Sequence, residues 1–196
     1  MNTGNKLESE VNKIISSRAG AHGIDHIMRV RKVALEIAER EGARKDIVEA
    51  MALLHDLVRY EDEREQESVE ETIKQAKEIL NKTEMPDDDK SIILDGIESH
   101  SLHSKARKEP STLEAKILFD ADKIDSVGRI GVARWFMTMD NRGLSIRQIA
   151  EIYLMTIEQM TQKMESRMYT KAGTEMIKEG LEYSVAFMKD LIKDLE

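Results

Sequence analysis

Apolar residues recur along most of the chain at intervals of three and four, the spacing that places them on one face of an α-helix. The intervals are interrupted at turn-forming residues such as Gly42, Pro86 and Gly143. This pattern predicts helices over 6–17, 25–41, 45–60, 69–81, 87–99, 111–125, 127–139, 145–167 and 174–195. The predicted fold class is therefore all-α.

Several of these helices carry recognisable start signals. Asp25 is a predicted N-cap, and Pro86 suits the first helical position, where its missing N–H costs nothing. Ser111 and Glu114 have the spacing of a capping box. The two last helices are long and rich in Met, Ile, Leu and charged residues, and we interpret them as packing or dimer-forming elements.

One apolar stretch, 50–58, ends in adjacent ionisable residues, His55 and Asp56. Its other residues are Ala, Leu, Val and Met, so we expect the pair to be buried. Burying an imidazole beside a carboxylate is costly unless both have hydrogen-bond partners or a bound cation. The pair therefore needs partners from elsewhere in the chain.

Two further polar residues lie on predicted apolar faces. His26 precedes Val30, Val33 and Ile37 at offsets of four, seven and eleven, so it shares their face. Asp122 follows Leu118 by four residues and shares the face of that side chain. Two imidazoles and two carboxylates suit one divalent ion such as manganese, iron, cobalt, nickel or zinc, and suit magnesium less well. The alternative is a buried His-Asp pair satisfied by backbone or water.

Composition limits the classes of protein that fit. The 196 residues are 35% charged and 4% aromatic, with a net charge of -8, which argues against a binder of nucleic acid duplexes. The absence of cysteine excludes disulfides and thiolate metal ligands. No apolar run reaches the roughly 20 residues of a membrane span. We expect a cytoplasmic protein with no membrane partner.

The order and context of these residues resemble the HD-domain superfamily of metal-dependent phosphohydrolases. The resemblance lies in HGIDHIMRVRKVALEIA, ALLHDLVRYED and EAKILFDADKIDSVGRIGVAR, which contain His26, His55-Asp56 and Asp122 in turn. It implies that His26, His55, Asp56 and Asp122 bind one divalent metal in an all-helical core. It also implies hydrolysis of a phosphate ester or anhydride by a metal-activated water. We expect a single HD-type domain over 1–196, with the metal-site core at about 20–136 and a C-terminal extension at about 145–196.

Other residues are candidates for handling the substrate. Asp56 is a candidate water-orienting group, and Glu61 and His100 are candidates for general acid or base chemistry. For Glu61 the alternative is a solvated charged loop, and for His100 the alternatives are a further metal ligand or a contact with substrate phosphate. Arginine and lysine near the predicted ligands could bind phosphate, and each could equally be a solvated surface charge. The candidate substrate-binding residues are His22, Arg29, Lys123 and Arg129, while His103 is more peripheral.

The predicted function is hydrolysis of a nucleotide or another small phosphorylated metabolite. A phosphodiesterase is an alternative within the enzymes, disfavoured because residues for a second metal are less evident. A regulatory protein that binds metal or nucleotide without turnover is the alternative from another class. A purely helical interaction protein, using the Met-rich helices after 145, is a third alternative. We also predict that the C-terminal helices could form a homodimer.

Overall fold

The computed structural model of the chain describes residues 3–15, 23–60, 65–100 and 108–196, and describes only the backbone at 65, 66, 141 and 158–165. Within these ranges the chain forms α-helices joined by turns and contains no β-strand, which confirms the all-α prediction. The helices are α1 (Thr3–Ile15), α2 (Ile24–Glu41), α3 (Lys45–Leu54), α4 (Glu65–Leu80), α5 (Asp87–Ser99), α6 (Leu113–Ile124), α7 (Gly128–Met139), α8 (Ile146–Glu165) and α9 (Lys171–Asp194), with a 3-10 turn at Asp140–Arg142.

Helices α1 to α6, here called the first region, enclose one apolar core. Helix α3 lies at its centre and packs against α1, α2, α5 and α6. Its side chains Met51, Leu53 and Leu54 are fully buried, as the nearly continuous apolar sequence of this helix requires. The core is closed by α4 against α5. Whatever polar groups end α3 are consequently delivered into the protein interior.

Helices α7 to α9, here called the second region, share another apolar core. Helix α9 packs against both α7 and α8, and Ile177, Leu181 and Met188 are buried between them. Trp135 stacks edge-on against Tyr153 with ring centroids 5.3 Å apart. Helix α9 also contacts α2 and α6, so the second region rests on the first.

The predicted helix over 45–60 is too long, because α3 ends at Leu54. Beyond it, the N–H of Val58 donates to Thr72 Oγ1 at 3.0 Å and the N–H of Tyr60 donates to Ser68 Oγ at 3.0 Å. These side chains of α4 satisfy backbone groups that would otherwise continue the helical pattern. His55 and Asp56 therefore follow the helix instead of lying within it.

Three predicted helix starts are shifted by one or two positions. Gly23, and not Asp25, occupies the N-cap of α2, so Asp25 lies in the first turn. Pro86 is the N-cap of α5 instead of its first helical residue. Helix α6 is capped by Thr112, whose Oγ1 accepts from the N–H of Ala115 at 3.1 Å. The predicted capping box therefore begins one residue before the observed N-cap. Ser111, its predicted first residue, donates to Asp95 instead.

A sharp break separates α6 from α7 at Gly128, whose φ of +69° lies in the left-handed region. The N–H of Gly128 donates to Ser184 Oγ of α9 at 2.8 Å. This contact turns the chain from the first region into the second. Among the described helices, none is long and apolar enough to cross a membrane.

Candidate metal centre

Four helix ends meet at one point of the first region. His26 is the third residue of α2, while His55 and His100 directly follow α3 and α5. Asp122 lies in the last turn of α6 and Asp125 directly follows that helix. Since α2, α3, α5 and α6 pack together, their ends place these ionisable groups in one buried cluster.

His26, His55, Asp56 and Asp122, here called the His-Asp cluster, come close in space. The Nε2 atoms of His26 and His55 are 3.3 Å apart. Asp122 Oδ1 lies 3.5 Å from His26 Nε2 and 3.8 Å from His55 Nε2. One ligand-type atom from each of His26, His55 and Asp56 lies within 4.8 Å of the other two. The structure thus brings all four residues predicted as ligands into one place.

Hydrogen bonds at the other ring nitrogens fix which atoms face the cluster. His55 Nδ1 donates to the Ala52 carbonyl at 2.8 Å, and a carbonyl can only accept. His26 Nδ1 lies 2.7 Å from Asp125 Oδ2, to which it donates. In the neutral tautomers each Nε2 then carries a lone pair. Two lone pairs facing each other at 3.3 Å, beside carboxylate oxygens, form a donor set that fits a divalent cation.

The electrostatics of the cluster are strongly perturbed. Burial lowers the pKa of His55. For His26, burial opposes protonation, but hydrogen bonds to Asp122 and Asp125 outweigh it and raise its pKa. Burial likewise opposes ionisation of Asp122, yet Lys123 and the two histidines hold the pKa of that carboxyl well below its usual range. Asp122 is therefore an anion at physiological pH, as a metal ligand requires.

His100 lies beside the cluster, with its ring perpendicular to that of His55 and the centroids 5.2 Å apart. Its Nδ1 donates to the Ile97 carbonyl at 2.5 Å. Burial, assisted by the neighbouring His55, lowers the pKa of His100 to about 3. The imidazole is therefore neutral at physiological pH, with Nε2 as an acceptor. That state does not suit the acid part of the predicted acid-base role.

The cations predicted to bind substrate lie at different distances from the cluster. Lys123 Nζ donates to Asp122 Oδ2 at 2.6 Å, so its charge is at the cluster itself. Arg29 is paired with Asp125 through two hydrogen bonds. Arg129 lies over the ring of Tyr183 in α9, 4.6 Å from the centroid, which is a cation-π contact. Arg29 and Arg129 both line a surface groove of about 410 Å³ between α2 and the α6–α7 junction.

Asp125 was not predicted from the sequence as a site residue, although it is buried and contacts His26. It follows Ala121 by four residues and Leu118 by seven, so it shares a buried apolar face in the same way as Asp122. That placement could have identified it. Three predicted residues, His22, Glu61 and His103, lie outside the described residues.

Comparison with known proteins places the chain in a family. Residues 23–127, just over half of the 196, match the HD domain family, and the chain therefore belongs to it. The match covers α2 to α6 and ends before α7. This family membership confirms the resemblance drawn from the sequence motifs.

Particular relatives match over almost the whole chain. YpgQ of Bacillus subtilis is 25% identical over 192 residues, which are 97% of this chain and 92% of that protein. A crystal structure of YpgQ in complex with ADP superimposes with a TM-score of 0.73 at 26% identity and covers 98% of this chain and 94% of YpgQ. An HD-superfamily hydrolase from Bacillus thuringiensis gives a TM-score of 0.73 at 25% identity, covering 98% and 96% of the two chains.

Proposed function

We propose that this chain is a metal-dependent phosphohydrolase acting on a nucleotide or another small phosphorylated metabolite. The observation that carries the proposal is the pair of imidazole Nε2 atoms 3.3 Å apart beside the Asp122 carboxylate. Membership of the HD domain family and the likeness to a B. thuringiensis hydrolase support the hydrolase assignment. The ADP bound to YpgQ supports a nucleotide as the ligand.

In this proposal His26, His55, Asp56 and Asp122 hold one divalent ion, with manganese, iron, cobalt, nickel, zinc and magnesium as the candidates. Such an ion, when bound, lowers the pKa of a water molecule and polarises a phosphoryl oxygen. The apolar end of α3 keeps His55 and Asp56 rigid, since Leu53 and Leu54 are fully buried. Asp56 is then placed to orient the attacking water.

The proposal assigns the charges near the cluster to different tasks. Lys123, within hydrogen-bond distance of Asp122, is the cation best placed to neutralise a substrate phosphate. Arg29 is occupied by Asp125, so its predicted contact with substrate would require breaking two hydrogen bonds. His100 is neutral and offers an acceptor, which favours holding a water or metal over protonating a leaving group.

The experiment measures metal content and hydrolysis together. Purified protein is loaded with manganese, cobalt or magnesium, analysed for metal, and tested with nucleoside mono-, di- and triphosphates for release of phosphate or pyrophosphate. We expect about one ion per chain and hydrolysis of at least one nucleotide. Asp122→Asn removes the charge of a proposed ligand and should weaken metal binding at least about a hundredfold. Substituting a residue that only hydrogen-bonds to a metal ligand already lowers metal affinity by about 10–100-fold.

Asp120→Asn is the matched control, because Asp120 is buried in the same helix and contacts Tyr169 and Thr170 instead of the cluster. It should keep its metal and its activity. If the protein binds metal but releases no phosphate or pyrophosphate from any of the nucleotides, the result would favour the non-catalytic regulatory alternative. A protein that binds none of the metals would overturn the proposed site altogether.

A further inference from the structure

Asp125 is a buried carboxylate that has no role of its own in the proposed function. Its side chain is 3% exposed, and it directly follows α6, three residues beyond Asp122. The two carboxylates contact opposite nitrogens of the same imidazole: Asp122 lies near His26 Nε2 and Asp125 binds His26 Nδ1. Asp125 therefore lies behind the cluster and not within it.

The Asp125 carboxylate accepts hydrogen bonds from three side chains, which are Arg29, Arg134 and His26. Arg29 Nε donates to Oδ1 at 2.7 Å, and Arg29 Nη2 donates to Oδ2 at 3.0 Å. Arg134 Nη1, which comes from α7 of the second region, donates to Oδ2 at 2.6 Å and to the Asp125 carbonyl at 3.0 Å. With both oxygens bonded, the carboxylate cannot rotate without losing charge-assisted hydrogen bonds.

The immobilised carboxylate constrains His26 in turn. Its Oδ2 accepts from His26 Nδ1 at 2.7 Å, which selects the tautomer whose Nε2 lone pair points toward His55 and Asp122. An imidazole without this bond would be free to turn about its side-chain torsions or to take the other tautomer. In either case the lone pair would be lost from the cluster.

We propose that Asp125, held by Arg29 and Arg134, is a positioning residue that fixes the His26 ring and thereby sets the affinity of the cluster for a divalent metal. The inference rests on the proposed metal-binding function. It gives Arg29 a task different from the predicted phosphate contact, and it makes α7 of the second region a contributor to the site through Arg134.

Asp120 again provides a matched comparison. It is a fully buried carboxylate five residues earlier in α6, also held by hydrogen bonds, with Thr170 Oγ1 donating to its Oδ2 at 2.6 Å. The hydrogen bonds to it come from Tyr169 and Thr170, which directly precede α9, and neither residue is a histidine. A loss of buried carboxylate charge for purely structural reasons would affect both positions, whereas positioning of His26 concerns Asp125 alone.

The test titrates Co²⁺ into metal-free wild type, Asp125→Asn and Asp120→Asn, following visible absorption and heat of binding. An asparagine has one oxygen where Asp125 uses two, so it cannot serve His26 and both arginines. We expect Asp125→Asn to bind Co²⁺ about 10–100-fold more weakly with an altered absorption spectrum. Asp120→Asn should bind within about twofold of wild type.

A second readout follows the histidine itself. Long-range ¹H–¹⁵N spectra of the metal-free proteins, recorded at a pH high enough for the His26 ring to be neutral, report which ring nitrogen carries the proton. Wild type and Asp120→Asn should show His26 protonated at Nδ1, and Asp125→Asn should show a mixture of tautomers. General destabilisation would lower the melting temperature without moving these signals.

Arg29→Gln keeps the proposal testable if Asp125→Asn fails to fold. Arg29 is 30% exposed at the surface groove, so its replacement is tolerated more easily, and Asp125 would lose two of its hydrogen bonds. We expect about three- to tenfold weaker Co²⁺ binding, a smaller effect than removal of the carboxylate charge.

Unchanged Co²⁺ affinity in Arg29→Gln, or in a folded Asp125→Asn, would overturn the inference while leaving the proposed function intact. An equal loss in Asp120→Asn would also overturn it. A wild-type protein that binds no Co²⁺, Mn²⁺ or Zn²⁺ would instead overturn the proposed function, and the inference with it.

Discussion

The two regions of the molecule have similar apolar interiors but differ in their buried polar groups. Among the described residues, the buried histidine, aspartate and glutamate side chains all lie in the first region: His26, His55, Asp56, Asp89, His100, Asp120 and Asp125. The buried side chains with polar groups in the second region are Thr170, Ser184 and Tyr153, which carry no charge at physiological pH because burial raises the pKa of the Tyr153 phenol. The difference separates a region built to hold a reactive cluster from one whose interior serves packing.

The regions are nevertheless joined by polar contacts, two of which involve buried carboxylates of the first region. Arg134 of α7 donates to Asp125 of the first region. In the same direction, the N–H groups of Tyr169 and Thr170, just before α9, donate to Asp120 of α6 at 3.0 and 2.8 Å. The two carboxylates therefore have different roles. In our proposal Asp125, which directly follows α6, links the second region to the His-Asp cluster, whereas Asp120 of α6 only holds the two regions together.

The largest expected contrast comes from truncating one leucine in each core. Leu54 is fully buried beside His55, and Leu181 is 3% exposed between α9 and its neighbours. Each change to alanine should lower the free energy of unfolding by about 2–5 kcal/mol, as measured by urea denaturation. Leu54→Ala should also weaken Co²⁺ binding about tenfold, because the support of His55 is loosened.

Leu181→Ala is the matched control and should retain wild-type Co²⁺ affinity. If both variants lost metal affinity equally, the division of labour between the regions would be wrong. If neither did, the end of α3 would not be what keeps His55 in place.

The histidine contribution to acid sensitivity should come from the first region, since the sequence has no histidine after His103. Burial lowers the pKa of His55 and brings that of His100 from 6.5 to about 3. Below about pH 6.5 the unfolded chain binds protons at these two histidines and the folded chain does not. The free energy of unfolding therefore decreases as the pH decreases. His26, whose pKa is raised by hydrogen bonds to Asp122 and Asp125 against burial, is protonated in both the folded and the unfolded chain below about pH 6.5, so it does not change this slope. Each of His55 and His100 should lower stability by about 1.4 kcal/mol per pH unit below about pH 6, until the pH reaches the pKa of that histidine in the folded chain.

Urea denaturation of the metal-free protein at pH 7, 6 and 5 measures this slope. His100→Gln removes one of the two titrating groups and should lower the slope by about 1.4 kcal/mol per pH unit, leaving the part due to His55. A wild-type stability that is unchanged from pH 7 to pH 5 would contradict the buried, neutral state of these histidines.

The smallest effect is expected at the joint formed by Thr170. Its Oγ1 accepts from the N–H of Gly173 at 2.9 Å, which caps α9, and donates to Asp120. Thr170→Ala should lower the free energy of unfolding by about 1 kcal/mol, measured by thermal and urea denaturation. Co²⁺ affinity should stay within about twofold of wild type. A tenfold weaker affinity would mean that this joint, and not only Arg134, couples the second region to the site.

Much of this architecture was determined by the sequence on its own. The helical spacing of apolar residues led to the all-α fold, because burying an amphipathic face is a local property that each segment carries with it. His26, His55, Asp56 and Asp122 could be selected because ionisable residues on apolar faces are costly without partners. In the structure His26, His55 and Asp56 lie near one another and Asp122 lies beside the two histidines, while the role of the four as metal ligands stays a prediction.

Other features depended on contacts between distant segments. The end of α3 at Leu54 depends on Thr72 and Ser68 of α4. The pairing of Arg29 with Asp125 joins residues 96 positions apart, and Arg134 reaches the same carboxylate from a different helix. Local spacing does not encode such pairings.

The sequence thus determined which residues are buried together, because hydrophobic periodicity and the cost of burying a charge depend on the identity and spacing of the residues themselves. Only the tertiary structure decided how their hydrogen bonds are distributed. A carboxylate such as Asp122 or Asp125 can accept from any donor that packing brings near, and the two are alike in the sequence. Their separation into the near and far sides of His26 follows from the way α2, α6 and α7 meet.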